Sequence, residues 1–350
     1  MSRIVSVGTA VPPYTVTQQE AKQLCYGLFA GAVENLDVLI RVFDNVRIET
    51  RYISAPLEWF TQSHAFPEKN ALYIEQACNL TAQAILRCLE PVGLTPADID
   101  HLIFVSTTGV ATPSIDARLI NRLHMAPHVK RTPIWGLGCA GGVAGLARAA
   151  EYTQAFPESR VVLVAVELCT LTFLRQDLSK SNLVATSLFG DGAAAVLVVG
   201  EQTEWSGPQV VGAQSTIWPD SLDVMGWELI DSGLKVLFSK DIPAIVRASV
   251  HSIVEEFLSD YHLTLRDVPH YIAHPGGAKV IAAYQEALGL NEAQMRHTRE
   301  VLRDYGNMSS PTVLFVLQRF LDQPDSHHGD YGLITALGPG FSSELMLLRW

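Results

Sequence analysis

Apolar runs recur along the chain at Ile4–Val7, His101–Val105, Arg160–Val166, Ala193–Val199, Tyr271–Ala273 and Gly332–Ala336. Between them, Glu75–Leu89 and Ala140–Tyr152 carry Ala, Leu and Ile at helical spacing. Strand-like runs alternating with buried-helix patterns predict an α/β fold. A further helix is predicted from Pro311 through Leu314, Val316, Leu317 and Phe320, with proline at its first position and Ser310 as its cap. Asn307 then stands in the turn that enters this helix. The polar connector Glu201–Pro208 divides the chain into two halves, 1–201 and 202–350. Each half contains a strand that runs into a glycine turn, His101–Gly109 in one and His270–Gly277 in the other. The pattern suggests duplicated architecture, although the residue identities do not repeat. The polar run Gln323–Asp330 reads as a surface loop, and its His327 and His328 lack the cysteine or carboxylate spacing that completes a metal site.

With 350 residues, 48% of them hydrophobic and 17% charged, the chain can bury one large core or two closely joined ones. A formal charge of -11 argues against general nucleic-acid binding, which draws on clustered Lys and Arg. An anionic ligand needs a local basic patch. The start, Met1 to Thr9, reads as a strand and turn rather than a signal peptide, and no segment has the length of a membrane-spanning helix. The five cysteines form no CxxC pair and lack the density of a disulfide scaffold, so a reducing cytoplasm is expected. Cys25, Cys78 and Cys88 read as small buried hydrophobes.

Cys139 is different, because Trp135-Gly136-Leu137-Gly138-Cys139-Ala140-Gly141-Gly142 ends an apolar run in small residues just where a helical pattern begins. Unpaired backbone N–H groups and the macrodipole at a helix start favour a thiolate. Far downstream lie His274, in Ala273-His274-Pro275-Gly276-Gly277, and Asn307, in Tyr305-Gly306-Asn307-Met308-Ser309-Ser310. A thiolate takes an acyl group from a thioester at small cost, since the bonds broken and made are alike. An imidazole can pair with the sulfur and then donate to a carbonyl oxygen. A neutral amide can stabilise an enolate, whereas a third carboxylate would repel both a malonyl group and the enolate it yields. Hydrolysis would need a base aimed at water, and the local cysteine signature of papain-like proteases is absent. Taken singly, His274 could cap a turn before Pro275, and Asn307 could be a turn residue that tolerates left-handed backbone. The glycines beside His274, and Gly338-Pro339-Gly340, bring backbone close either to a ligand or to a neighbouring helix.

Four segments together resemble the type III polyketide synthases, the chalcone synthase-like branch of the thiolase-fold condensing enzymes. They are Gly138–Gly142, Ser187-Leu188-Phe189-Gly190-Asp191-Gly192-Ala193-Ala194-Ala195, Ile272–Gly277, and Thr298–Leu302 running to Tyr305–Ser310. The resemblance spans nearly the whole chain. It implies a thiolase-like α/β fold, with two similar βαβ-containing halves in a five-layered αβαβα arrangement. It implies that Cys139 carries the acyl chain, that His274 and Asn307 form the decarboxylation and oxyanion site, and that Phe189, a core aromatic on bare sequence, gates the passage from coenzyme A tunnel to cavity. Asp191 reads as an organiser of backbone rather than an acid. Arg41 matches a position that binds coenzyme A phosphates in the family, with Gly276 and Gly277 nearby. Asn45 stands where plant relatives carry lysine, so Arg47 or Arg51 would assist, unless both are solvated surface arginines.

The resemblance also assigns Thr108, Thr112, Cys169, Thr172, Val236 and Ser309, with Gly338 and Pro339, to the cavity. Thr112 and Val236 align with bulkier residues of plant enzymes, and smaller walls admit longer chains. Trp135–Gly142 and Lys180-Ser181-Asn182-Leu183 resemble bacterial synthases that make alkylpyrones from long-chain acyl-CoA. The implied activity is loading of a fatty acyl-CoA starter, extension with malonyl-CoA, and cyclisation to an alkylpyrone by lactonisation or an alkylresorcinol by aldol closure. Implied also are a homodimer, coenzyme A thioesters as the small-molecule substrates, and no metal, nicotinamide or flavin. The alternative enzyme is an initiating ketoacyl synthase of fatty-acid synthesis, which takes malonyl groups from acyl carrier protein. A non-enzymatic interaction subunit would not need the intact triad.

Overall fold

The computed structural model describes residues 1–322 and 326–350. Part of the polar run 323–330 therefore lies outside the described residues, while His327 and His328 are exposed on a turn. The strands are β1 Arg3–Ala10, β2 Tyr14–Thr17, β3 Thr50–Ile53, β4 His101–Val105, β5 Lys130–Ile134, β6 Arg160–Leu168 and β7 Asp191–Val199. They continue with β8 Gln209–Ile217, β9 Met225–Ile230, β10 Gly233–Phe238, β11 His270–Ala273, β12 Tyr331–Gly338 and β13 Ser342–Arg349. Nine of them form one sheet in the order β11-β12-β13-β8-β1-β7-β6-β4-β5, with β9–β10 and β2–β3 as separate hairpin-like pairs.

The duplication expected from the glycine turns is visible in the pairing. From β1 outward, β7 and β6 join antiparallel, then β4 joins parallel. From β8 outward, β13 and β12 join antiparallel, then β11 joins parallel. So β4 and β11 occupy equivalent places, and the turns that follow them both enter the site described below. Arg3 pairs with Gln209, so the two units are continuous across β1 and β8, a joint the sequence pattern does not announce.

Three cores account for five layers. Ala77, Leu80, Ala84 and Ile85 of the helix Phe66–Leu89 pack on Phe104, Val162 and Val164 of the first unit's outer face. The opposite face, with Ile103, Val161 and Leu163, meets a middle layer made by the helices Gly141–Ala155 and Thr312–Asp322. That layer packs in turn on Ile272, Ile334 and Met346 of the second unit. Beyond it, Tyr271, Leu333 and Leu345 are covered by Val246, Val250 and Val254 of the helix Ile242–Ser259 and by Ile281 and Tyr284 of Ala278–Leu288. Successive residues of a strand point to opposite faces. Strands covered on both faces therefore lose the apolar–polar alternation and read as solid apolar runs, as β4 and β7 do, every residue of which is buried.

The middle helices carry the site, and they can approach closely because of their small residues. A Cβ on Gly142 would stand 2.3 Å from the Ser310 carbonyl oxygen, so glycine there lets the start of one helix seat against the entry to the other. The second helix begins where Pro311 predicts, but not with Ser310 as its side-chain cap. The Ser310 hydroxyl donates instead to Glu167 Oε1 at 2.9 Å, and the first turn is closed by Thr312, whose hydroxyl donates to the Ser309 carbonyl at 2.8 Å.

Candidate active site

Cys139 lies in the 3-10 turn Gly138–Ala140 that feeds the helix Gly141–Ala155. Gly138 adopts φ +47, and its N–H donates to Thr107 Oγ1 at 3.1 Å, which ties the nucleophile turn to the segment after β4. Gly338 seals the other side, since a Cβ there would meet Ala140 Cβ at 2.6 Å and the Leu137 carbonyl at 2.5 Å. Pro339 packs beside Gly138. Both residues expected in the cavity wall are thus buttresses of the cysteine turn.

His274 follows β11, with its N–H on the Thr335 carbonyl at 2.8 Å. Both ring nitrogens are buried and make no hydrogen bond among the described residues. Buried polar atoms are normally paired, so the imidazole is free to bind something that enters. Asn307 is knitted to the other side by backbone: its N–H donates to Leu188 O at 2.8 Å and its carbonyl accepts from Gly190 N at 3.0 Å. Asn307 Oδ1 accepts the Ser309 N–H at 2.8 Å, which fixes the amide orientation, because an N–H can only face the oxygen. The NH2 end gives one hydrogen to Gly276 O at 3.2 Å, and a side-chain hydrogen bond from Asn307 also reaches the Cys139 sulfur.

Cys139, His274 and Asn307 line one cavity of about 460 Å³, together with Gly276 and Gly277. Three residues far apart in sequence converge there. Burial pushes the Cys139 thiol up to about 11, against the lowering effect of hydrogen bonds from Ser309 and Asn307, with Glu167 raising it further. Burial also pushes His274 down to about 3. Enclosure of the site therefore acts on Cys139 in the direction opposite to the helix start, which favours a thiolate. Both shifts favour the uncharged thiol and imidazole. Proton transfer from one to the other creates two opposite charges that stabilise each other, so ionisation belongs to the pair.

Glu167, which sequence reading passed over, lies under this site at the end of β6. It accepts from Thr107 N at 2.9 Å, Thr108 Oγ1 at 2.8 Å and Ser310 Oγ at 2.9 Å, and burial raises it to about 7. Thr107 and Ser310 flank the cysteine turn, so Glu167 is a positioning residue for it. One signal was available: an acid closing the apolar run Val161–Val166 must be buried, and a buried acid needs donors. Asp191 behaves as expected of a backbone organiser, accepting from the N–H and hydroxyl groups of both Ser54 and Thr170.

The mouth of the cavity is basic on an acidic protein. Arg41 and Asn45 line it, as do Lys180, Lys240 and Lys279, three lysines not singled out from sequence. Arg47 is exposed and is not among the residues lining this cavity. Arg51 is 3% exposed, and its guanidinium is held by the carbonyls of Thr186, Ser187 and Phe189 and by Gln18. It braces the Phe189 turn and cannot reach a phosphate at the mouth.

Phe189 ends the helix Lys180–Leu188 and packs with Cys169 and Val236, its ring 5.7 Å from Phe238 and 6.1 Å from Trp227. Behind it lies an apolar chamber of about 60 Å³ lined by Phe189, Cys169, Thr172 and Val236. Thr108 borders a smaller space with Thr172, and Ser309 touches Cys139 rather than the chamber. In the single chain Thr112 is exposed on the loop before Pro113 and is not among the residues lining the chamber. Among the described residues no group of three or more His, Cys, Asp or Glu could hold a metal ion, and no helix is long and apolar enough to cross a membrane.

Comparison with known proteins agrees with this geometry. The family models for the N-terminal and C-terminal domains of chalcone and stilbene synthases match residues 1–202 and 209–350. A Bacillus subtilis (strain 168) protein named "Putative chalcone synthase" is 43% identical, covering 100% of this chain and 99% of its own. The 1,3,6,8-tetrahydroxynaphthalene synthase of Streptomyces peucetius subsp. caesius is 38% identical over 99% of this chain and 93% of its own. The crystal structure of the 1,3,6,8-tetrahydroxynaphthalene synthase of Streptomyces coelicolor A3(2), a bacterial type III polyketide synthase, superposes with a TM-score of 0.95 at 30% identity, covering 99% of each chain. The chain thus belongs to the chalcone and stilbene synthases, thiolase-fold type III polyketide synthases that catalyse decarboxylative Claisen condensation with malonyl-CoA and require no cofactor.

Proposed function

We propose that Cys139 is the acyl-carrying nucleophile and that His274 and Asn307 are the donors for the oxyanion and the enolate. The carrying observation is the shared cavity, in which the sulfur lies with an imidazole whose ring nitrogens make no hydrogen bond among the described residues and with an amide that hydrogen-bonds the sulfur. In loading, His274 takes the thiol proton, Cys139 Sγ attacks the thioester carbonyl, and coenzyme A leaves as a thiol with that proton. Malonyl-CoA then occupies the same mouth, its phosphates near Arg41, Lys180, Lys240 and Lys279. Loss of carbon dioxide leaves an enolate whose oxygen accepts from His274 and Asn307. A neutral imidazole suits this step, because it donates from one nitrogen without first being charged. The enolate carbon attacks the Cys139 thioester, a carbon–carbon bond forms and the sulfur departs. Transfer of the lengthened chain back to Cys139 allows another round.

For the starter we favour a fatty acyl-CoA, with closure to an alkylpyrone or alkylresorcinol. The apolar lining behind Phe189 and the small Val236 side chain support an acyl tail there, although at about 60 Å³ the chamber must open by side-chain movement to take a long one. The relatives' names point to 1,3,6,8-tetrahydroxynaphthalene and 3,5-dihydroxyphenylacetyl-CoA as other products of this fold. We further propose that the division into halves falls at 201–202, and that the protein works as a cytoplasmic homodimer. The deciding experiment incubates the purified protein with acyl-CoAs of graded length and malonyl-CoA, without carrier protein, and identifies products by mass. Alkylpyrones or alkylresorcinols from long starters support the reading. Products formed from malonyl-CoA alone, whatever starter is offered, overturn it.

A further inference from the structure

The chamber behind Phe189 does not end in a solid wall. Phe60 and Phe173, whose rings meet edge to face at 6.5 Å, line it together with Phe189 and also line a second pocket of about 300 Å³. Phe189, which packs on Phe238 of the catalytic cavity, thus borders the apolar chamber, and the Phe60–Phe173 seam is shared between that chamber and the polar pocket. Lys69 stands in the polar pocket beside the seam. It is only 8% exposed, and among the described residues its ammonium makes one hydrogen bond, to the Phe173 carbonyl at 2.6 Å. An ammonium has three donors, so two remain for whatever fills the pocket. No step of the condensation uses this residue. A buried cation is costly unless an anion faces it, and burial lowers Lys69 to about 8.

The other charged residues of the pocket are Arg175, Lys235 and Asp177, with His64 at its rim. Asp177 opposes the cations. Lys235 is shared with Glu228 at 3.1 Å, and His64 is engaged by Glu68 at 2.7 Å and stacked on Trp59 at 3.8 Å. Lys69 and Arg175 are left as the cations most able to take a ligand.

We propose that Lys69 and this pocket form a carboxylate subsite, which holds the far end of an α,ω-dicarboxylic acyl starter whose thioester sits on Cys139. The inference rests on the acyl-cysteine reading above and narrows its starter class. Methylenes suit the apolar chamber, and the end farthest from the thioester meets Lys69. A charge-assisted bond formed out of water gives the carboxylate-ended chain an advantage of about tenfold over a methyl-ended one of equal length.

The test follows acylation of Cys139 by intact-protein mass, in single turnover without malonyl-CoA. Matched acyl-CoA pairs of graded length end in methyl or in carboxylate. Wild type is expected to prefer the carboxylate by about tenfold at one length, and Lys69→Met to lose that preference while loading methyl-ended chains as before. If Lys69→Met fails to load methyl-ended chains, Lys69→Gln, which removes the charge but keeps a donor for the Phe173 carbonyl, replaces it, and an unchanged preference for the carboxylate there overturns the assignment. Methyl-ended chains that load while carboxylate-ended ones gain nothing at any length also overturn it, leaving the condensing reading intact. If no acyl-CoA loads Cys139, the covalent reading itself fails.

Discussion

Glu167 makes a prediction in which the proton count sets both sign and size. Its folded-state titration lies at about 7, against 4.5 for an ordinary glutamate. Between those values the native protein holds a proton that the unfolded chain has released. Stability therefore falls as pH rises, by about 3 kcal/mol across the window from 4.5 to 7. Below 4.5 the contribution is fully present, and above 7 it is gone. Glu167→Gln is the matched neutral variant. Its carbonyl can keep the Thr107 N–H and Thr108 hydroxyl, and its amide can face Ser310, whose hydroxyl rotates to accept. Urea denaturation of both proteins from pH 4.5 to 8 supplies the assay, each reading compared as wild type minus variant. Subtraction matters, because Asp191 is also raised and His274 is lowered, the latter losing stability as pH falls. Both groups are common to the two proteins. The stability difference should fall by about 3 kcal/mol as pH rises through the window, and iodoacetamide should modify Cys139 faster in the variant, since Glu167 raises that thiol. A difference that stays flat, or grows with pH, refutes the assignment of Glu167 as a buried, proton-holding brace.

Cys139→Ala should abolish chain growth while sparing part of malonyl-CoA decarboxylation, since His274 and Asn307 remain; undiminished polyketide by mass spectrometry contradicts the nucleophile assignment. Val236→Phe should shorten the accepted starter, because Val236 lines a chamber of about 60 Å³, whereas Thr112→Phe, exposed in the single chain, should shorten it only where a partner subunit brings that loop to the chamber. Competition between acyl-CoAs of different length measures both. Arg51→Met should lower stability by about 3 kcal/mol or more, through carbonyls left unpaired, while Arg41→Ala should leave the melting temperature alone and raise KM for acyl-CoA. Gly142→Ala should cost about 1–3 kcal/mol, because its Cβ would meet a backbone carbonyl at 2.3 Å, and a variant as stable as wild type would show that the helices can part there.

What could be read from the chain depended on how directly burial imprints a pattern. β4, β6 and β7 are covered on both faces and stood out as apolar runs. β8 and β13 did not, because Gln214, Ser215, Ser343 and Glu344 interrupt them, and the Ser215 hydroxyl pairs with Glu344 across the two strands at 2.6 Å, a relation that exists only once they are side by side. The triad was legible because glycines and proline crowd around each member, and close backbone approach leaves that mark in sequence. Arginine carries no such mark. Arg41 and Arg51 lie ten positions apart in one polar stretch, yet one lines the mouth and the other is buried on carbonyls.

Tuning of the site was the least legible feature, since it is a property of enclosure. The same helix start that favours a thiolate in water sits here under Ser310, Gly338 and the Asn307 turn, with Glu167 below. Desolvation of both Cys139 and His274 then favours an uncharged pair. Such a pair has a functional consequence. A site that must hold an acyl thioester, admit malonate and stabilise an enolate gains from donors that are uncharged, because they strengthen as the oxyanion forms without binding the incoming carboxylate as tightly. In the proposed reading charge is kept for the mouth, which Arg41 and the three lysines line.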